Sequence, residues 1–323
     1  MSKYQARDYL SALRSYTDNR ISQRLFSITL ELTRRCNARC DYCNHWKEQR
    51  STELEVADFA RVIDHFQPFH VVICGGEPFQ RRDVLEICRT IKSAPGPWRY
   101  VMMITNGWFL SDDKIAGLQE ARVDQINVSL NWPDARQDQD RKLPGLFQRI
   151  ERAVARMSAR GMKVVLSCIL MNDNLDELVP IAHLAQRWGV TVMYTLYSEL
   201  QADNRAHLFP QDRRARLQEV LKELLRLKRR HGSVSNSEWY FEHIPRYVEG
   251  ETLTGCRAGT DTVHISPEGM VRACCYLPKV GHFSEYDPRA APQQTCTDCF
   301  SACRGELQAP VTLRRFIEAV RTA

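Results

Sequence analysis

No apolar run in this 323-residue chain approaches the roughly 20 residues that a membrane-spanning helix needs, so no helical span is expected. No concentrated basic block alternates with aromatic residues, and the net charge is only +6. That balance tolerates an anionic substrate but gives no footing for nucleic-acid binding. A secretory signal is missing. Without one, twelve cysteines do not read as a disulfide framework, and the expected setting is a reducing cytoplasm. Internal repeats and low-complexity segments are missing too.

Apolar residues make up 43% of the chain, enough for one large domain with an appendage. Residues 1–25 are expected to form a helical extension. Its polar helix, over about residues 4–22, carries a thin stripe of Tyr4, Tyr9, Leu10, Leu13 and Tyr16. From residue 26 strands and helices alternate. Strands are predicted at 26–33, 70–74, 99–104, 125–130, 163–170 and 190–197. Helices are predicted at about 56–66, 82–92, from 112, 145–160 and 175–188. Six βα units in a row imply a parallel sheet with right-handed crossovers. Six are too few to close an eight-stranded barrel, so the fold expected over 26–237 is a partial (β/α)6 TIM barrel with its site at the C-terminal strand ends. An amphipathic helix over 211–230 has a basic outer face, read as solvated. A polar linker at 231–237 then leads to a separate, small, cysteine-rich domain over 238–323.

Cys36, Cys40 and Cys43 stand at C-x3-C-x2-C spacing directly after the first strand. Structural zinc wants four ligands, whereas three thiolates on a [4Fe–4S] cubane leave one iron open. A zinc loop that borrows a distant ligand, or free buried cysteines, are the other readings. With Tyr42 before the last cysteine, the stretch resembles the signature of the radical S-adenosylmethionine (SAM) enzymes. The resemblance implies that the open iron takes the amino and carboxylate groups of SAM. It extends to Gly75, Gly76, Glu77 and Pro78, matching a segment that holds the methionyl amino group. The two glycines are expected to let the backbone approach the ligand, so that Gly76→Val would fill its space. Thr105 and Asn106 match the family's third-strand turn. Ser129 matches the serine that approaches the SAM ribose, and Asn131 stands where an aspartate is usual. Ser167, on the fifth strand, is placed toward SAM. The charged loop from Asp140 to Phe147 resembles the one that touches SAM or substrate.

Cys256, Cys274, Cys275, Cys296, Cys299 and Cys303 crowd the C-terminal segment, and Gly269 lies five residues before Cys274 in a predicted hairpin. The set resembles the Twitch and SPASM extensions, which carry auxiliary [4Fe–4S] clusters. One cluster is expected, on Cys256, Cys274, Cys296 and Cys299, with Cys275 or Cys303 as a replacement for one of them; a zinc ribbon is the plainer alternative. The resemblance implies a 5′-deoxyadenosyl radical that abstracts hydrogen from substrate. Oxidation, epimerisation or rearrangement would follow, with a flavodoxin- or ferredoxin-type reductant. Cys275, Cys303 and Cys74 are candidate hydrogen-atom donors, and Tyr197 is expected to face the substrate. Lacking an evident N-terminal peptide-recognition domain, the chain is expected to act on a small molecule. A ribosomal peptide, modified by thioether formation, crosslinking or epimerisation, is the alternative, and a non-catalytic iron–sulfur carrier a remote one.

Overall fold

The computed structural model describes residues 25–48, 52–287 and 295–310, with Ser11 and Arg14. The predicted N-terminal helix otherwise lies outside these residues.

The elements follow from local pattern. Helix α1 (Val56–Phe66) starts at a reciprocal box, in which Glu55 and Asp58 each accept from the other's backbone N–H. It buries Phe59, Val62, Ile63 and Phe66, spaced for one helical face. Strand β1 (Ser27–Glu31) precedes it, and β2 (His70–Cys74), α2 (Val84–Ser93), β3 (Tyr100–Thr105), α3 (Asp112–Glu120) and β4 (Gln125–Ser129) follow. After β4 comes a short helix that the periodicity does not announce, α4 (Arg136–Arg141). Its six residues are five charges or amides around one more glutamine, with no apolar stripe to read. Then come α5 (Leu146–Ala159), β5 (Lys163–Leu170), α6 (Leu178–Arg187) and β6 (Thr191–Leu196).

Strands β1 to β6 pair in parallel, each with its sequence neighbour, as expected for the partial barrel. Side chains alternate across the sheet. On β3, Tyr100, Met102 and Ile104 are half-buried on the inner, concave face, while Val101, Met103 and Thr105 are buried toward the helices.

Beyond β6 the chain returns to the barrel sheet. Helix α7 (Arg214–His231) packs Leu217, Val220, Leu221, Leu224 and Leu227 inward. Several of its basic residues form surface ion pairs, Arg216 with Asp176 and Arg226 with Glu223 among them. The stretch 231–237 is not a free linker: it covers the open edge of β6. Val192 N donates to Ser233 O at 2.8 Å, and the Asn236 amide brackets Tyr194, accepting from its N at 2.7 Å and donating to its O at 2.9 Å. An asparagine side chain here completes a strand edge. Helix α8 (Glu238–Val248) follows, capped by Ser237. Strand β7 (Thr262–Ile265) then pairs in parallel with β1, continuing the barrel sheet. The predicted hairpin is β7 with β8 (Met270–Arg272), turning at Gly269 with φ 80°. Strand β9 (Lys279–His282) ends a sheet ordered β6-β5-β4-β3-β2-β1-β7-β8-β9. The last described helix, α9 (Ala302–Gln308), reaches back to β6, where Ala302 N donates to Thr195 Oγ1 at 3.0 Å. The cysteine-rich segment is thus built into the barrel from both sides of its gap. Among the described residues no helix is long and apolar enough to cross a membrane.

Candidate active site

The loop after β1 lies against the turn after β2. Leu32 N donates to Cys74 O at 2.9 Å, Gly76 N to Thr33 O at 2.7 Å, and Glu77 N to Arg35 O at 2.8 Å. A Cβ on Gly76 would stand 2.4 Å from Arg35 O and 2.6 Å from Arg34 O; one on Gly75 would stand 2.6 Å from Thr33 O. The approach of two backbones to each other therefore by itself requires glycine at both positions, a reason that the sequence does not display.

This contact leaves Cys36, Cys40 and Cys43 on one cavity, with Cys74, Gly75, Gly76, Thr105, Asn106 and Ser129 on its walls. Ala38, Trp46, Ile104 and Arg141 complete the lining. The thiols are crowded. Burial pushes Cys36 up to about 12, with Glu77, Cys40 and Cys43 adding to the effect, and burial also raises Cys43. Bare thiolates repel one another in such a place, so three sulfurs around one space suit a cationic iron core. Among the described residues no three His, Cys, Asp or Glu side chains converge on a single ion.

Glu77 does not open into the cavity. It is fully buried, accepting from Thr105 Oγ1 at 2.8 Å, Asn106 N at 2.7 Å and Phe79 N at 3.3 Å. Burial lifts its pKa to about 7 against those bonds. Pro78, also buried, opens the short 3-10 turn beyond it. Glu77 thus ties the β2 turn to the β3 turn. Asn106 donates onward to Asn37 Oδ1 at 2.9 Å, a loop residue that sequence reasoning passed over.

Tyr42 and Asn131 form a second buried knot. The Tyr42 hydroxyl donates to Asp140 Oδ2 at 2.5 Å and accepts from Asn131 Nδ2 at 2.8 Å. Asn131 Oδ1 accepts from Ile169 N at 2.9 Å, and Gln137 Oε1 accepts from Asn131 N at 2.9 Å. The Asn131 amide is therefore spent inside the protein. Ser129 and Ser167 sit side by side across β4 and β5, half-buried. Asn127 Nδ2 donates to Ser167 Oγ at 3.0 Å. Glu31, at the end of β1, pairs with His45 of the cysteine loop at 3.0 Å and His264 of β7 at 3.1 Å. Burial alone would raise its pKa, but the two histidines outweigh that and hold it well below the usual carboxylate range.

Tyr197 is turned elsewhere: its hydroxyl donates to Asn204 O at 2.7 Å and its ring meets His207 edge-on. This disagrees with a substrate-facing phenol, because the segment after β6 folds back to take it. Among the C-terminal cysteines, Cys256 and Cys274 pack together with Ala258 and Ala273. Cys299 feels Cys256 and Cys296, while Cys303 feels Cys299, Cys274 and Cys256. Cys275 neighbours Cys274 and Cys303, and both Cys275 and Cys303 act on Cys74 of the cavity wall.

A family profile described as the radical SAM superfamily matches residues 30–185. The PqqA peptide cyclase of Methylobacterium nodulans is 29% identical over 293 residues, covering 85% of this chain and 74% of that protein. The GTP 3′,8-cyclase of Aquifex aeolicus is 29% identical over 197 residues, covering 58% of this chain and 61% of that protein. Among solved structures, Streptococcus suis SuiB bound to precursor peptide SuiA aligns with a TM-score of 0.65 at 14% identity, covering 88% of this chain and 69% of that one.

Proposed function

Because this chain is a radical SAM enzyme, we propose that its substrate is a peptide, modified by hydrogen abstraction and then crosslinking, cyclisation or epimerisation. The observation that carries the reading is the likeness to a peptide cyclase over 85% of the chain, far more than residues 30–185. The likeness therefore takes in sequence outside the radical SAM match. It favours a peptide over the small molecule expected from the sequence. The likeness to a GTP cyclase keeps a small-molecule substrate as the second reading, over a shorter stretch.

In this reading Cys36, Cys40 and Cys43 hold the [4Fe–4S] cluster, and Cys256, Cys274, Cys296 and Cys299 an auxiliary one. With SAM bound, the first cluster supplies the radical that removes a substrate hydrogen atom. The protein's own part is placement and exclusion of water. The knot at Glu77 holds the β2 and β3 turns at a fixed distance from the cysteine loop. Ser129 presents its hydroxyl on the cavity wall to SAM, Gly75 and Gly76 present backbone, and Thr105 and Asn106 hold the wall in shape through their bonds to Glu77 and Asn37. Cys275 and Cys303, on the Cys74 side, are available to return a hydrogen atom to the substrate. Strand β7 beside β1 and helix α9 beside β6 bring the C-terminal segment to both ends of the parallel sheet, so in this reading the substrate lies between the two cysteine sets.

The test measures 5′-deoxyadenosine by mass spectrometry, using reduced, reconstituted protein with SAM and fractionated extract of the source cells. Stimulation is expected in the retained macromolecular fraction and should disappear after protease digestion. Stimulation by the low-mass filtrate would overturn the peptide reading.

A further inference from the structure

The three sulfurs of the cysteine loop have different donors. Backbone N–H groups of Ala38 and His45 serve Cys36 and Cys43. Cys40 instead receives a guanidinium: Arg141 Nη1 lies 3.6 Å from its Sγ. Arg141 belongs to α4, the helix absent from the sequence prediction. It comes to Cys40 because residues 140–142 grip residues 39–42 at successive points. Arg39 N donates to Arg141 O at 3.2 Å, the Asp140 carboxylate takes the Tyr42 hydroxyl, and Lys142 pairs with Asp41 at 3.5 Å. The guanidinium lies 5.5 Å from the centre of the Tyr42 ring, with Nε 3.5 Å from Asp140 Oδ2. Arg141 is held by groups that are themselves buried and bonded, so its charge stays at one place.

We propose that Arg141 is a positioning and tuning residue for the iron–sulfur cluster, raising its reduction potential through the N–H donated to Cys40 Sγ. The proposal rests on the reading that Cys36, Cys40 and Cys43 hold that cluster. A cation and a hydrogen bond at a thiolate sulfur weaken its donation to iron and favour the reduced core, which carries one more negative charge. In a site shielded from water the effect is not screened away. Asp140 and Tyr42 act through Arg141 by fixing its plane.

The experiment is an EPR-monitored redox titration of reconstituted holoenzyme without SAM, so that contacts to SAM do not enter. For Arg141→Gln the potential is expected to fall by about 59 mV, a tenfold change in the oxidised-to-reduced ratio at fixed potential. Arg141→Lys keeps the charge on a different donor geometry and should fall between the variant and wild type; it also serves where Arg141→Gln yields too little folded protein. A wild-type potential in both variants, with any loss confined to SAM affinity, would overturn the proposal. Iron content separates this from the underlying reading: if Cys40→Ala keeps its full iron, the cluster assignment fails whatever Arg141 does.

Discussion

The two cysteine-bearing regions are held in contrasting ways. The loop with Cys36, Cys40 and Cys43 is fastened largely through backbone and through buried side chains, from the β2 turn, the β3 turn and α4. In the C-terminal segment strand β7 is fastened to β1 through backbone, whereas the stretch carrying Cys296, Cys299 and Cys303 hangs on side-chain bonds. Thr195 accepts from Ala302 N, Glu306 Oε1 accepts from Ser237 N at 2.9 Å, and Arg304 binds the carbonyls of Cys299 and Leu253. Its last strand is exposed at Lys279 and Val280. The fold itself arranges the first set of thiols. Of the second set, Cys256 and Cys274 flank strands of the sheet, while Cys296, Cys299 and Cys303 have less pre-arrangement, and in the proposed reading a cluster supplies the rest.

The largest test of that contrast removes one set. Replacing Cys36, Cys40 and Cys43 with alanine should abolish SAM cleavage yet leave roughly four irons per chain, one cubane's worth. If iron analysis finds none, the C-terminal segment holds no cluster of its own. The next compares glycines in the two regions of the apo-protein by urea unfolding. Gly76→Ala drives a methyl into the Arg34 and Arg35 carbonyls and should cost about 3 kcal/mol. Gly255→Ala meets nothing nearer than the Gln308 amide at 3.4 Å, and should cost about 1–2 kcal/mol for its φ of 89°. The reverse order would mean that the C-terminal segment is the more rigid region.

The smallest effect is a pH signature of the first region alone. Glu77 is raised from 4.5 to about 7 in the folded chain. Between those values the unfolded chain has lost a proton that the folded one keeps. Its contribution to stability is therefore present below pH 4.5, falls as pH rises to about 7, and is constant above. Glu77→Gln should flatten that slope in urea midpoints of the apo-protein; an unchanged slope would place its origin elsewhere.

Much of the barrel was legible. The strands at residues 70–74 and 163–170 and helix α1 fall where periodicity puts them, because alternation and the 3.6-residue repeat are written in neighbouring side chains. Helix α4 was not legible, since it buries little and its glutamine, Gln137, is held by Asn131 N and Ser129 O. The stretch 231–237 read as a linker because its polarity is real; only the exposed edge of β6 explains where those polar groups go. Tyr197 read as a site residue because it ends a strand, yet its hydroxyl is claimed by Asn204.

By itself the sequence determined the order of strands and helices, the radical SAM signature with its three cysteines, and the crowding of six more near the C-terminus. These depend on local spacing, which a linear chain displays directly. Tertiary structure alone decided that Gly76 serves a neighbouring backbone, that Glu77 is a tie to the β3 turn, that β7 joins the barrel, and that Arg141 reaches Cys40. Each of these depends on partners brought together across the fold, Arg141 lying 101 residues from Cys40. A buried polar group takes whichever partner the fold delivers, and no local pattern announces that partner.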